Sequence, residues 1–125
     1  MERQLRMKKV ITVIAVCLLI AVYIMIFLFS ADDAEAIVRK MAHFTEYMAV
    51  GFLSFGIAVI WMQRIKAGIV AVTLQVFLSA GLDEIHQYFV PGRYASFRDV
   101  LIDTAGGIAG IMIVFLMYKI RKRRR

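Results

Sequence analysis

The chain has 125 residues, 62% of them hydrophobic, with a formal net charge of +7 and a mean hydropathy of +0.75. A chain this small cannot bury so much apolar surface in a water-soluble core, so the composition excludes an ordinary soluble domain and predicts a chain solvated by a bilayer. The single cysteine, Cys17, excludes an internal disulfide.

Four apolar stretches separated by charged residues predict an all-α integral membrane bundle of four transmembrane helices. The first stretch, Val10–Phe29, is about 20 residues long, which favours a retained membrane helix over the shorter apolar region of a signal peptide. The other three stretches are shorter by about one helical turn, so each must bring flanking polar residues to the membrane edge. The chain is then a single domain, residues 1–125, with spans at about 10–29, 43–63, 67–87 and 98–118 and a basic tail at 119–125.

Two S-x-x-D patterns are typical of capping boxes, in which a serine and a later acid satisfy free amides at a helix start. Ser30 with Asp33 predicts that span two begins as an amphipathic helix over 32–42. Ser96 with Asp99 predicts the start of span four.

The distribution of basic residues predicts the orientation. The N-terminal segment, the loop Arg64–Lys66 and the C-terminal tail hold 12 of the 16 Lys and Arg residues. The positive-inside rule therefore places both termini and this loop in the cytoplasm, and the connections 30–43 and 83–99 outside. We interpret the tail as a stop-transfer cluster that contacts anionic lipid, rather than as a nucleic-acid site.

Charged residues recur at one height on three of the predicted helices. Counted from the basic boundary at 1.5 Å per residue, Glu46, Asp83 and Asp103 all lie about 25 Å along their helices. Asp103 shares a stripe with the G-x-x-x-G motif Gly106/Gly110, a spacing typical of close helix packing in lipid. A second layer is predicted one turn further out, formed by His43, His86 and Asp99.

Ionisable side chains at membrane depth are costly, so their clustering favours a functional, outward-facing pocket. Histidines and carboxylates could bind a divalent metal or act as general acid and base without one. Arg93 and Arg98 are suited to bidentate capture of a phosphate or carboxylate. The alternative is a structural network, in which Lys40, Arg93 and Arg98 neutralise the acids and no ligand is bound.

Three stretches of the sequence resemble the VanZ-like family. They are Arg39–Tyr47, Asp83–Arg93 and Arg98–Gly107, which contain K-x-x-H-F-x-E-Y, D-E-x-H-Q-x-F-V-P-G-R and R-D-x-x-x-D-x-x-G in that order. The resemblance implies a small multi-pass protein of the bacterial plasma membrane. It also suggests a link to resistance against teicoplanin, a glycopeptide that binds peptidoglycan precursors, because the family's namesake is associated with it.

The family pattern and the predicted depths of the charged residues select largely the same positions. The predicted catalytic residues are His43, Glu46, Asp83, Glu84, His86, Asp99 and Asp103. The predicted substrate-binding residues are Lys40, Tyr47, Gln87, Arg93 and Arg98.

Three functions fit these residues. The first is a pocket that binds or modifies a cell-envelope lipid or a peptidoglycan-precursor-type ligand, with membrane lipids or a glycopeptide as partners and no nucleic acid. The second is a non-catalytic binding or shielding protein whose polar layer is a salt-bridge network. The third, a small oligomeric transporter, fits least well because such proteins place a charged site near the midplane. The sequence leaves open whether the protein is an enzyme and which metal it uses, if any.

Overall fold

The computed structural model describes residues 1–29 and 36–124. They form four helices: α1 (Glu2–Phe29), α2 (Ala36–Trp61), α3 (Ile65–Tyr88) and α4 (Phe97–Arg123). All four are long and apolar enough to cross a membrane, and no strand occurs within the described ranges. The predicted all-α architecture with four membrane-spanning helices is confirmed.

The helices continue through the charged residues that bound the apolar stretches. Helices α2, α3 and α4 have 26, 24 and 27 residues. At 1.5 Å per residue each is about 36–40 Å long, which exceeds the roughly 30 Å of a hydrocarbon core. The polar residues are therefore part of the helices. The predicted cap at Ser30 and Asp33 lies outside the described residues, and α2 includes residues 36–42 of the predicted amphipathic start.

Contacts of α1 define the topology of the bundle. Near its start, Thr12 accepts a hydrogen bond of 2.7 Å from the indole nitrogen of Trp61, at the end of α2. Near its end, the Phe27 ring stacks on His86, close to the end of α3, with ring centres 4.4 Å apart. Helix α1 is therefore antiparallel to α2 and parallel to α3. Helix α4 runs parallel to α2, because Gly106 lies beside Phe44 and Gly110 beside Met48. We call the end with both termini and the α2–α3 connection the basic end, and the opposite one the polar end.

Glycines bring α2 and α4 into backbone contact. A methyl group added at Gly106 would overlap the carbonyl oxygen of Phe44, and one added at Gly110 would overlap that of Met48. The predicted packing role of the G-x-x-x-G motif is confirmed. Because backbone contacts leave no room for sliding, these glycines fix the register of α4 on α2.

A chain of uncharged polar groups ties three helices together inside the apolar core. The Gln75 amide nitrogen donates to the Tyr23 hydroxyl at 3.2 Å and to the Ser54 hydroxyl at 3.0 Å. The Tyr23 hydroxyl in turn donates to Ser79 at 3.3 Å. Polar groups at membrane depth need partners within the protein, so this network links α1 to α2 and α3.

Candidate functional site

The centre of the polar end is a buried cluster of one histidine and two aspartates, each from a different helix. The Nδ1 atom of His43 on α2 lies 3.5 Å from Oδ2 of Asp83 on α3 and 3.7 Å from Oδ2 of Asp103 on α4. Relative exposure is 6% for His43, 8% for Asp83 and 2% for Asp103. The imidazole therefore faces two carboxylates away from solvent, an arrangement that can hold a cation or relay a proton.

The height of His43 along the bundle differs from the predicted height by about one helical turn. The sequence placed His43 further out than Asp83 and Asp103, at the height of His86 and Asp99. In the structure the imidazole reaches both acids, because the glycine contacts place Phe44 beside Gly106 and hence His43 near Asp103. Helix lengths alone cannot define such a register.

A glutamine one turn along α3 orients one of the acids. The Gln87 amide nitrogen donates a 2.9 Å hydrogen bond to Oδ2 of Asp83, and both side chains are buried. This bond restricts the rotation of the carboxylate that faces His43. Gln87 was predicted to bind substrate, and the structure gives it a direct contact with the cluster.

The acid Glu84 caps α4 from a neighbouring helix. Its Oε2 accepts a 2.7 Å hydrogen bond from the backbone amide of Ser96, the N-cap residue of α4. The predicted capping box located this helix start correctly, but Ser96 makes no side-chain cap bond. Glu84 takes the role predicted for Asp99, whose Oδ1 instead lies 3.2 Å from Nζ of Lys40. The hydrogen bond of Glu84 therefore links α3 to the start of α4, and the ion pair of Asp99 links α4 to α2.

Replacement of Glu84 by alanine is expected to lower the free energy of unfolding by about 1–2 kcal/mol, because the Ser96 amide loses its acceptor. Glu84→Gln keeps an acceptor oxygen and is expected to retain most of the stability. Thermal unfolding in detergent, followed by circular dichroism, measures both. Equal destabilisation by the two variants would show that the charge of Glu84, rather than the hydrogen bond, stabilises the fold.

Beside the cluster lies a small polar cavity of about 20 Å³, enough for about one water molecule. Its walls come from α2, α3 and α4. The lining residues are Arg39, Lys40, His43, Glu84, Gln87, Asp99, Ile102 and Asp103. Seven of the twelve predicted site residues thus either line this cavity or, like Asp83, touch a residue that does.

An apolar groove of about 340 Å³ adjoins the cavity on the α2–α4 face. Lys40 and Ile102 line both spaces. The other residues that line the groove are the apolar Ile37, Met41 and Phe44, together with Thr45. Lys40 therefore stands at the junction between a polar cavity and an apolar surface.

His86 and Tyr47 lie on the opposite side of the cluster. Both line a groove of about 390 Å³ near α1, together with Asp83 and Phe27. His86 stacks on Phe27, and Tyr47 is only 1% exposed within the core. The structure thus separates His86 from His43, with which the sequence had grouped it.

The remaining predicted residues lie outside the lining of the polar cavity. Glu46 is half-buried one turn further along α2, near enough to interact with the charges of the cluster. Both terminal guanidinium nitrogens of Arg93 are buried, whereas Arg98 is exposed. The two arginines therefore differ in their access to a ligand, although the sequence assigned them one role.

Sequence reasoning missed Arg39 and Ile102 as cavity residues. Arg39 precedes Lys40 and lies four residues before His43, a spacing that places both on one helix face. That spacing could have identified it. Ile102 carries no chemical signal, and only the packing of α4 on α2 places it in the wall of both spaces.

The family model described as VanZ/LLP1 matches residues 13–118, which cover all the polar residues of the site. The chain belongs to the VanZ/LLP1 family. No curated protein and no solved structure matches the chain. Membership agrees with the multi-pass helical architecture, and it includes α1 from residue 13 onward, although no family motif was recognised in that helix.

Proposed function

We propose that the polar end of this VanZ/LLP1 family protein faces the extracytoplasmic side of a bacterial plasma membrane. The basic end holds 12 of the 16 Lys and Arg residues, and basic residues are retained in the cytoplasm during insertion. Both chain termini lie at that end. The cavity and the cluster would then lie near the headgroups of the outer leaflet.

The site in this proposal binds or modifies an amphiphile with an anionic headgroup, such as a cell-envelope lipid or a lipid-linked peptidoglycan precursor. The observation that carries it is the position of Lys40 between the polar cavity and the apolar groove. Its side chain is 44% exposed, so the ammonium is accessible to a phosphate, with Arg39 beside it. The groove volume of about 340 Å³ falls within the roughly 300–1,000 Å³ of ligand pockets.

Three of the acids in and beside the cavity have an ion-pair or hydrogen-bond partner, which weakens their repulsion of an anion at Lys40. Lys40 pairs with Asp99, Gln87 donates to Asp83, and the Ser96 amide donates to Glu84. A phosphate that approaches Lys40 competes with Asp99 for the ammonium. Such competition favours a ligand with two negative charges over a zwitterionic lipid.

The double variant Arg39→Gln/Lys40→Gln is expected to bind an anionic lipid at least tenfold more weakly than the wild type. The probes are a polyprenyl phosphate, phosphatidylglycerol and phosphatidylcholine, titrated against the purified protein and measured by native mass spectrometry. A matched control removes two exposed basic residues at the opposite end, Arg121→Gln/Lys122→Gln. In cells, the first variant is also expected to lower any teicoplanin resistance that expression of the wild type confers.

Equal losses in the two double variants, or equal affinity of the wild type for phosphatidylcholine, would contradict the proposal. Chromatography of the probes after incubation separates binding from modification. A product formed by the wild type but not by Asp103→Asn indicates an enzyme. Binding without a product favours the non-catalytic reading.

A further inference from the structure

The two atoms at the centre of the cluster are buried polar atoms without a hydrogen-bond partner among the described residues. They are Nδ1 of His43 and Oδ2 of Asp103. Their separation of 3.7 Å is longer than the roughly 2.7–3.2 Å of an N–H···O hydrogen bond. Buried polar groups nearly always have partners, so these two atoms point to a bound species between the helices.

The geometry fits a divalent metal ion. One ligand atom from each of His43, Asp83 and Asp103 lies within 4.8 Å of the other two. With metal–ligand distances of about 2.0–2.2 Å, two ligands of a tetrahedral ion are about 3.4 Å apart. The observed separations of 3.5 and 3.7 Å from His43 Nδ1 are close to this edge length. Small side-chain rotations would close the site around an ion.

The surroundings resemble those of a metal site that keeps one position open. Gln87 donates to Asp83, and hydrogen bonds of this kind orient metal ligands from the second coordination sphere. His43, Asp103 and Gln87 also line the cavity of about 20 Å³, which has room for one water molecule. Three protein ligands and an adjacent water-sized space are typical of catalytic rather than structural metal sites.

Charge balance supports the same conclusion. Two carboxylates close together in a low-dielectric interior repel each other strongly unless a cation or a proton lies between them. A divalent ion neutralises both carboxylates while His43 contributes a neutral nitrogen. It would also attract the anionic headgroup of the proposed ligand toward the cavity.

We propose that His43, Asp83 and Asp103 bind one divalent transition-metal ion, of the class of Zn²⁺ or Mn²⁺, with an open position toward the polar cavity. One imidazole suits zinc, and two carboxylates also admit manganese. The ion deepens the proposed function, since it would contact the headgroup. Metal binding nevertheless requires no lipid and can be measured alone.

The test uses the full-length protein, purified in detergent, stripped with a chelator and titrated with ZnCl₂, MnCl₂ or MgCl₂. We expect one Zn²⁺ per chain by elemental analysis, with affinities in the order zinc, manganese, magnesium. His43→Ala and Asp103→Asn should lose stoichiometric metal. Gln87→Ala should weaken binding by about 10- to 100-fold, as loss of an outer-sphere partner does. The matched control His86→Ala removes the other histidine and should keep one ion per chain.

A wild type that binds no metal, or His43→Ala and Asp103→Asn variants that both retain it, would overturn the inference. Because His43→Ala and Asp103→Asn could lose metal by unfolding, Gln87→Ala provides a second test that keeps all three ligands. Its Co²⁺ complex should show the same visible absorption as the wild-type complex, because that absorption reports the ligands of the ion. Lipid binding by a wild type that binds no metal would support the proposed function and contradict the metal site. One ion per chain without selectivity for anionic lipid would support the metal site and contradict the proposed function.

Discussion

The double variant Gly106→Ala/Gly110→Ala is expected to lower the free energy of unfolding by about 2–5 kcal/mol, with a fall in Tm on the order of 10 °C. The added methyl groups would overlap the carbonyl oxygens of Phe44 and Met48. Backbone atoms cannot rotate away as the end of a side chain can, so α4 must move off α2. That movement also separates His43 from Asp103, which lie one residue from Phe44 and three residues from Gly106, respectively.

A single alanine at Gly81 is the matched control for this pair, because a methyl group there meets no atom within 4 Å. It should leave Tm unchanged or raise it slightly, since alanine favours the helix by about 1 kcal/mol over glycine. Thermal unfolding in detergent measures all three proteins. If the double variant unfolds at the temperature of the control, close packing of α2 and α4 does not stabilise the bundle.

Replacement of His43 by leucine is expected to destabilise the protein by about 3–5 kcal/mol. The change leaves two buried carboxylates facing an apolar side chain, and Asp103 loses the imidazole that lies 3.7 Å from its Oδ2. Loss of one member of a buried charged group costs more than loss of the whole group, because the remaining charge keeps its desolvation penalty. Denaturation by heat or by added denaturing detergent measures the difference.

The triple variant His43→Leu/Asp83→Asn/Asp103→Asn tests this reasoning, because it removes the charges together with the histidine. It is expected to regain most of the lost stability while it binds no metal. That combination would show that the cluster serves function at little benefit to stability. A triple variant less stable than His43→Leu would instead support the structural-network alternative.

Two elements illustrate how far the sequence predicted the fold. The G-x-x-x-G motif in α4 predicted a tight packing face, and Gly106 and Gly110 contact the backbone of α2. Ser96 predicted the start of α4, and the helix begins at Phe97. Both predictions rest on local rules: small residues allow close packing of a helix, and a capping residue marks a helix start, whatever the rest of the fold.

The candidate site was predicted less completely. Spacing along the helices brought acids and histidines to one end, and Lys40, His43, Asp83 and Asp103 do meet there. Spacing did not separate His86 from His43, nor Arg98 from Arg93. Those distinctions depend on how each helix is rotated about its axis, and a hydropathy pattern that is apolar on nearly every side does not define this rotation.

The sequence by itself determined the helices, their alternation and the concentration of charge at the two ends, because each follows from hydrophobic length and charge along one segment. Only the tertiary structure decided that Glu84, and not Asp99, caps α4, and that His43 lies between two aspartates. The physical reason is the register of α4 on α2. Contacts between backbones 62 residues apart, such as Phe44 with Gly106, fix that register, and no local pattern contains them.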